Sequence, residues 1–168
     1  MEPDTLQDPS IFGAIAAHPI ATFVRESMWA YPILETFHMF GLGLLFGAIV
    51  VFDLRVLGVG ARTIAVSRAA ALLLPWVWVG FGVNLVSGGL LFASGAVEFS
   101  GNRAFQLKML FVLIAGLNAL VFMTRRRDVM NDWDSAVMAN TLSRWQAALS
   151  IACWSLVIAA GRFVAYFE

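Results

Sequence analysis

The sequence predicts an all-α integral membrane protein: a four-helix bundle preceded by an N-terminal amphipathic segment at the membrane interface. Two observations support this prediction. Of the 168 residues, 60% are hydrophobic and only 13% are charged, whereas an ordinary soluble domain is about 25% charged. The apolar residues also form continuous stretches of about 20 residues, which is the length that a helix needs to cross a bilayer.

The rest of the composition excludes several classes of protein. The formal net charge is zero, so the chain lacks the basic surface that nucleic-acid-binding proteins use. The single cysteine, Cys153, allows neither an internal disulfide nor a cysteine-rich metal cluster. The expected partners are therefore the lipid bilayer, a redox partner protein and further copies of the chain, and no nucleic acid.

Four apolar stretches are long enough to be spans. They cover residues 29–58, 69–96, 104–124 and 145–167. Before them, residues 9–27 carry apolar side chains at helical spacing that is interrupted by Pro19. Because proline breaks or kinks a helix, this segment is expected to form two short helices or one kinked helix on the membrane surface. The chain is thus predicted to be a single membrane domain over residues 1–168.

Basic residues in the connections predict the orientation. Cytoplasmic loops of membrane proteins are enriched in arginine and lysine, and the connections after the first and third spans are the arginine-rich ones here. These arginines are Arg55, Arg62, Arg68, Arg125, Arg126, Arg127 and Arg144. We therefore expect both connections to face the cytoplasm of a bacterium, with both termini on the periplasmic side of its inner membrane.

Several polar residues fall inside the predicted spans. An ionisable side chain at membrane depth is costly, and it indicates a functional site. Because a helix rises about 1.5 Å per residue, the depth of each polar residue follows from its distance to the end of its span. One group of polar residues is expected in the periplasmic half of the bilayer. Its members are Glu35, His38, Asn84, Ser87, Lys108 and Arg162. Asp53 and Arg55 belong to the cytoplasmic end, and Gly43 and Gly47 have the spacing that lets transmembrane helices approach closely.

His38 has two interpretations. It is either a hydrogen-bonding residue that holds the bundle together or an axial ligand to haem iron. Glu35 lies three residues earlier on the same helix face, and we expect it to orient the imidazole of His38. Lys108 and Arg162 lie nearer the membrane surface, where they would meet haem propionates or extend to lipid headgroups. His18, in the interfacial segment, is either a surface residue or a second axial ligand.

Two other functions stay open. One is a component of a transporter or permease for copper or another small solute, although copper sites favour clustered methionines and histidines. A zinc site needs three or four close ligands, and the chain has only two histidines and one cysteine. The other function is a structural or assembly subunit of a larger membrane complex.

Two stretches carry a family resemblance. One is Tyr31-Pro-Ile-Leu-Glu-Thr-Phe-His38 together with the Leu-Arg55 that closes the first span, and the other is Phe105-Gln-Leu-Lys108. They resemble a loose bacterial grouping of small membrane proteins that includes HemJ-type protoporphyrinogen oxidases and CopD-type copper-resistance domains. The chain is most similar to uncharacterised four-helix members of that grouping. The resemblance implies a bundle that binds haem b, with His38 matching the histidine of the grouping and Lys108 its lysine.

Overall fold

The computed structural model describes residues 10–59, 64–133 and 141–166, with side chains described outside 125–133. These residues form helices joined by short turns, with no strand among them, and this confirms the all-α prediction. The helices are α1 (Ile11–Ala16), α2 (Pro19–Glu26), α3 (Ala30–Leu57), α4 (Val66–Ser94), α5 (Ala96–Gly101), α6 (Arg103–Trp133) and α7 (Thr141–Phe163), followed by a 3-10 turn at Val164–Tyr166.

Among the described residues, four helices are long and apolar enough to cross a membrane, as predicted. The candidate spans are Ala30–Leu57, Val66–Ser94, Arg103–Thr124 and Thr141–Tyr166. The chief difference from the prediction is α6, which continues to Trp133, past the predicted end of the span at residue 124. Arginine and methionine are good helix formers, so the polar segment after the span extends the helix instead of ending it.

The segment before the spans forms two helices, which is one of the two predicted alternatives. Ser10 caps α1 by accepting a hydrogen bond from the backbone N–H of Gly13 at 3.3 Å. His18 caps α2, since its Nδ1 atom accepts from the N–H of Ile20 at 3.3 Å. Pro19 is the first residue of α2, a position where the missing N–H of proline removes no helical hydrogen bond. Pro19 therefore begins a helix and does not kink one.

The four long helices form two antiparallel hairpins. α3 packs mainly against α4, and α6 packs mainly against α7. The hairpins are joined chiefly by contact between α3 and α7, whereas α4 and α6 make little contact. We call the half of the bundle next to α1 and α2 the proximal half, and the half next to the α3–α4 and α6–α7 connections the distal half.

Arg25, on α2, ties the N-terminal helices to the bundle. Its Nη1 atom donates to the carbonyl of Ala16 at 3.2 Å and to the carbonyl of Ser94 at 3.0 Å. Its Nη2 atom donates to Oγ1 of Thr22 at 3.3 Å. One guanidinium thus satisfies backbone carbonyls at the ends of both α1 and α4, groups that a helix leaves without intrahelical partners.

Candidate functional site in the proximal half

The backbones of α3 and α4 come into direct contact at two glycines. A Cβ atom built on Gly80 would lie 2.7 Å from the backbone nitrogen of Leu45 and 2.9 Å from the carbonyl oxygen of Gly41. A Cβ atom on Gly41 would lie 2.8 Å from Cγ1 of Val83. At Gly80 no larger residue fits without separating the helices, and at Gly41 the side chains of Val83 and Asn84 would have to move. By contrast, a Cβ atom at Gly43 or Gly47 would have no neighbour within 4 Å, so the predicted close approach occurs elsewhere on α3.

His38 lies on α3 with its ring against α4. The side chain is half-buried, and a Cβ atom on Gly88 would be 2.9 Å from its Cε1 atom. The Nδ1 atom of His38 is 3.1 Å from Oγ of Ser87, which is itself 3% exposed. Gly88 therefore leaves space for the imidazole ring, and Ser87 orients the ring through a hydrogen bond.

The hydrogen bonds of Ser87 assign the tautomer of His38. The Ser87 hydroxyl donates to the carbonyl of Val83 at 2.6 Å. Because a hydroxyl has one proton, Ser87 accepts the hydrogen bond that it shares with His38, and Nδ1 of His38 carries the hydrogen. The Nε2 atom then keeps its lone pair, which is the form in which histidine accepts a hydrogen bond or binds a metal.

Asn84 lies one turn before Ser87 on the same side of α4. Its Nδ2 atom donates to the carbonyl of Gly80 at 2.9 Å. Its Oδ1 atom is buried without a hydrogen-bond partner among the described residues, and its backbone interacts with the His38 ring. The structure thus brings His38, Ser87 and Asn84 together, as their predicted depths implied.

Lys108 approaches this group from the second hairpin. Its side chain lies along Gly161 of α7, where a Cβ atom would be 3.6 Å from Cδ and 3.7 Å from Nζ. It is close enough to act electrostatically on His38. Within residues 10–59, 64–124 and 141–166, no side chain or carbonyl is seen to accept a hydrogen bond from its ammonium group. The site therefore combines a half-buried cation with an imidazole whose Nε2 atom is an acceptor.

The other predicted site residues lie at the surface. Glu35 is exposed, and the expectation that it orients His38 is corrected, because the side chain that hydrogen-bonds to the ring is Ser87. Positions three apart on a helix differ by about 60° of rotation, so α3 turns His38 toward α4 and leaves Glu35 outside. Arg162 is exposed in the last turn of α7, and His18 is an exposed helix cap.

Comparison with known proteins identifies one family. The model of a family of unknown function, DUF6644, matches residues 28–167. The match includes all four candidate spans and the cluster around His38, whereas α1, α2 and His18 precede it. No curated protein and no solved structure matches the chain. The similarity to HemJ-type and CopD-type proteins stays a prediction.

Proposed function

The chain belongs to the DUF6644 family of unknown function, and we propose that this member is a haem-binding membrane protein. In this proposal it binds haem b in the proximal half of the bundle, with Nε2 of His38 as an iron ligand. It acts in electron transfer or redox chemistry in the bacterial inner membrane. Following the arginine distribution, the proximal half is proposed to face the periplasm, with both termini on that side.

The observation that carries the proposal is the hydrogen bond between His38 and Ser87. Metal-binding histidines almost always donate a hydrogen bond from the ring nitrogen that does not bind the metal. Ser87 receives that hydrogen bond at 3.1 Å from Nδ1. The backbone of Asn84 also hydrogen-bonds to the ring, so both of these partners of the imidazole lie on α4. The ring is therefore oriented in advance by α4, and the proposal assigns its Nε2 atom to the iron.

The surrounding polar groups fit the same cofactor. Haem carries two propionate carboxylates, and Lys108 offers a cation that no described acceptor neutralises. Arg162 supplies a second, exposed cation one residue after the glycine that Lys108 covers. When bound, haem b would supply an iron that changes oxidation state. The chain would orient that iron through His38 and hold the carboxylates through Lys108 and Arg162.

The test is the haem content of the purified full chain. The protein is expressed with haem supplied, and its Soret absorbance and pyridine haemochrome spectrum are measured. The wild-type protein is expected to retain haem b, and His38→Ala to lose most of it. His18→Ala is the matched control, because His18 is exposed, caps α2 and lies outside the family match. A colourless wild-type protein, or a His38→Ala variant with an unchanged spectrum, would overturn the proposal.

A structural or assembly subunit is the second candidate. It is favoured by α6, which is the candidate span least covered by the rest of the chain and so presents an apolar face to lipid or to another subunit. This function predicts that a partner protein co-purifies after gentle solubilisation and that substitutions of Glu35 and His38 leave its capture unchanged. Copper or solute transport would instead appear as altered metal tolerance or uptake without a chromophore.

A further inference from the structure

Asp53 lies on the same helix as His38 but in the distal half of the bundle. It follows His38 by fifteen residues, or roughly 22 Å along the helix axis, and takes no part in the proposed haem site. The side chain is 6% exposed, and its Oδ2 atom is buried without a hydrogen-bond partner in the part of the chain that the structure describes. Phe52 and Val56, on either side of Asp53 in α3, belong to a buried apolar cluster together with Val66, Ala69, Ala70 and Ala147.

Polar groups of α6 and α7 lie at a depth similar to that of Asp53. Ser150 of α7 is placed to hydrogen-bond to the Asp53 carboxyl group. One turn earlier on α7, the carbonyl of Gln146 accepts a hydrogen bond from Nδ2 of Asn118 on α6 at 3.0 Å. Ser150 is thus the polar neighbour that the structure gives to the Asp53 carboxyl group.

The charged side chains that the structure describes near the distal end do not pair with Asp53. Arg55 on α3 donates to the carbonyl of Ile64, while Arg68 on α4 and Arg144 on α7 are exposed. The described side chains of α6 in this half, such as Asn118 and Phe122, are not ionisable. No described residue forms an ion pair with Asp53. In apolar surroundings, a charged carboxylate with an oxygen that accepts no hydrogen bond has a very high free energy. The protonated, neutral carboxyl group avoids most of that free-energy cost.

We propose that Asp53 is a proton-exchanging site inside the membrane. Its carboxyl group is protonated in the resting protein, and it releases the proton to water at the distal face and regains it from there. In the release step the O–H bond of the carboxyl group breaks, water accepts the proton, and no group is oxidised or reduced. The Ser150 hydroxyl then donates to the carboxylate that forms. The path is short, because α3 ends four residues later at Leu57, about 6 Å along the helix axis.

The test is infrared spectroscopy of the full chain in lipid bilayers, without haem, so that the result does not depend on the proposed function. At neutral pH we expect a carbonyl band of a protonated carboxylic acid that shifts in D₂O, because the proton exchanges. The band is expected to disappear reversibly at alkaline pH and to be absent in Asp53→Asn. Glu35→Gln is the matched control, since it removes an exposed carboxyl group from the same helix and should leave the band unchanged.

Ser150→Ala provides a second test that does not alter the acid itself. Loss of the serine hydrogen bond should move the band to higher frequency without removing it. Wild-type and Asp53→Asn spectra that are identical at neutral pH would overturn the proposal. A band that does not respond to D₂O would also overturn it, since the acid would then be sealed from water. A folded Ser150→Ala variant with an unshifted band would overturn the role given to Ser150 as the hydrogen-bond donor to this carboxyl group.

Discussion

The two hairpins of the bundle are held together in different ways. In the α3–α4 hairpin the backbones are in contact, and a methyl group on Gly80 would collide with backbone atoms of Gly41 and Leu45. In the α6–α7 hairpin a Cβ atom on Gly161 would make an ordinary contact with Lys108, and one on Gly116 would meet nothing within 4 Å. The first hairpin therefore sets the geometry of the site, and the second supplies a cation to it.

The largest effect is expected from Gly80→Ala. The added methyl group cannot be relieved by moving a side chain, because its close neighbours are backbone atoms at 2.7 to 3.0 Å. Overpacking of this kind costs about 1–3 kcal/mol, and we expect the free energy of unfolding in detergent to fall by the upper end of that range. Gly116→Ala on α6 is the control and should raise stability by about 0.5–1 kcal/mol, since alanine favours a helix. Equal changes in the free energy of unfolding at the two positions would contradict the difference in packing between the two hairpins.

Ser87→Ala should weaken haem binding with little effect on the fold. Loss of a residue that orients a metal-binding histidine typically costs about 10–100-fold in metal affinity, and this is the effect expected in a haem titration of the apoprotein. Ser94→Ala is the matched control, because Ser94 is also buried in α4 and also donates to a backbone carbonyl, that of Leu91 at 2.7 Å. Unchanged affinity in Ser87→Ala would show that the orientation of His38 does not depend on Ser87.

Gly88→Ala tests whether the ring of His38 needs the space that Gly88 leaves. The new methyl group would lie 2.9 Å from Cε1, and the ring has to rotate away from it. An off-rotamer side chain costs about 0.5–1.5 kcal/mol, so the free energy of unfolding should fall by about 1 kcal/mol, and the Soret band of the haem-loaded protein should shift. Gly89→Ala, where a Cβ atom has open space, should raise the free energy of unfolding by about 0.5–1 kcal/mol, as at Gly116, and should leave the Soret band unchanged.

The smallest effect is expected from Lys108→Met. The ammonium group is half-buried and has no hydrogen-bond partner among the described residues. Its removal should therefore leave the stability of the apoprotein unchanged or increase it. Haem affinity should fall by a few-fold, since a partly exposed ion pair contributes about 0.2–1 kcal/mol. Arg103→Met, an exposed cation at the start of α6, is the control. A loss of apoprotein stability in Lys108→Met alone would show that the cation has a structural partner.

Much of the architecture was predictable from the sequence. Continuous apolar stretches predicted four spans, and the rise per residue placed His38 and Ser87 at similar depths. The partner of His38 was not predictable in this way. Spacing along one helix pointed to Glu35, but the side of α3 that turns inward depends on its rotation against α4. That rotation is set by the contact between Gly41 and Gly80, two glycines that the sequence does not distinguish from Gly43 and Gly47.

The burial of Asp53, near the distal end of α3, was likewise not predictable from the sequence. Its position near the last turn of the first span suggested a residue of the cytoplasmic end. In the structure it is enclosed, because Val66 of α4 and Ala147 of α7 belong to the buried cluster around it and Ser150 faces its carboxyl group. Ser150 lies almost one hundred residues away in sequence. Burial by segments that are so distant in sequence produces no local sequence pattern from which it could be predicted.

The hydrogen bonds of Arg25 have a consequence for biogenesis. Its guanidinium reaches the carbonyl of Ser94, a residue that is synthesised 69 positions later. α1 and α2 thus leave the ribosome before α4, yet this part of their attachment cannot form until α4 has been synthesised. The bond between Arg25 and Ser94 therefore forms after α4 has been made, although α1 and α2 are synthesised before α4. Until Ser94 has emerged, the guanidinium of Arg25 lacks the acceptor that joins α2 to the end of α4.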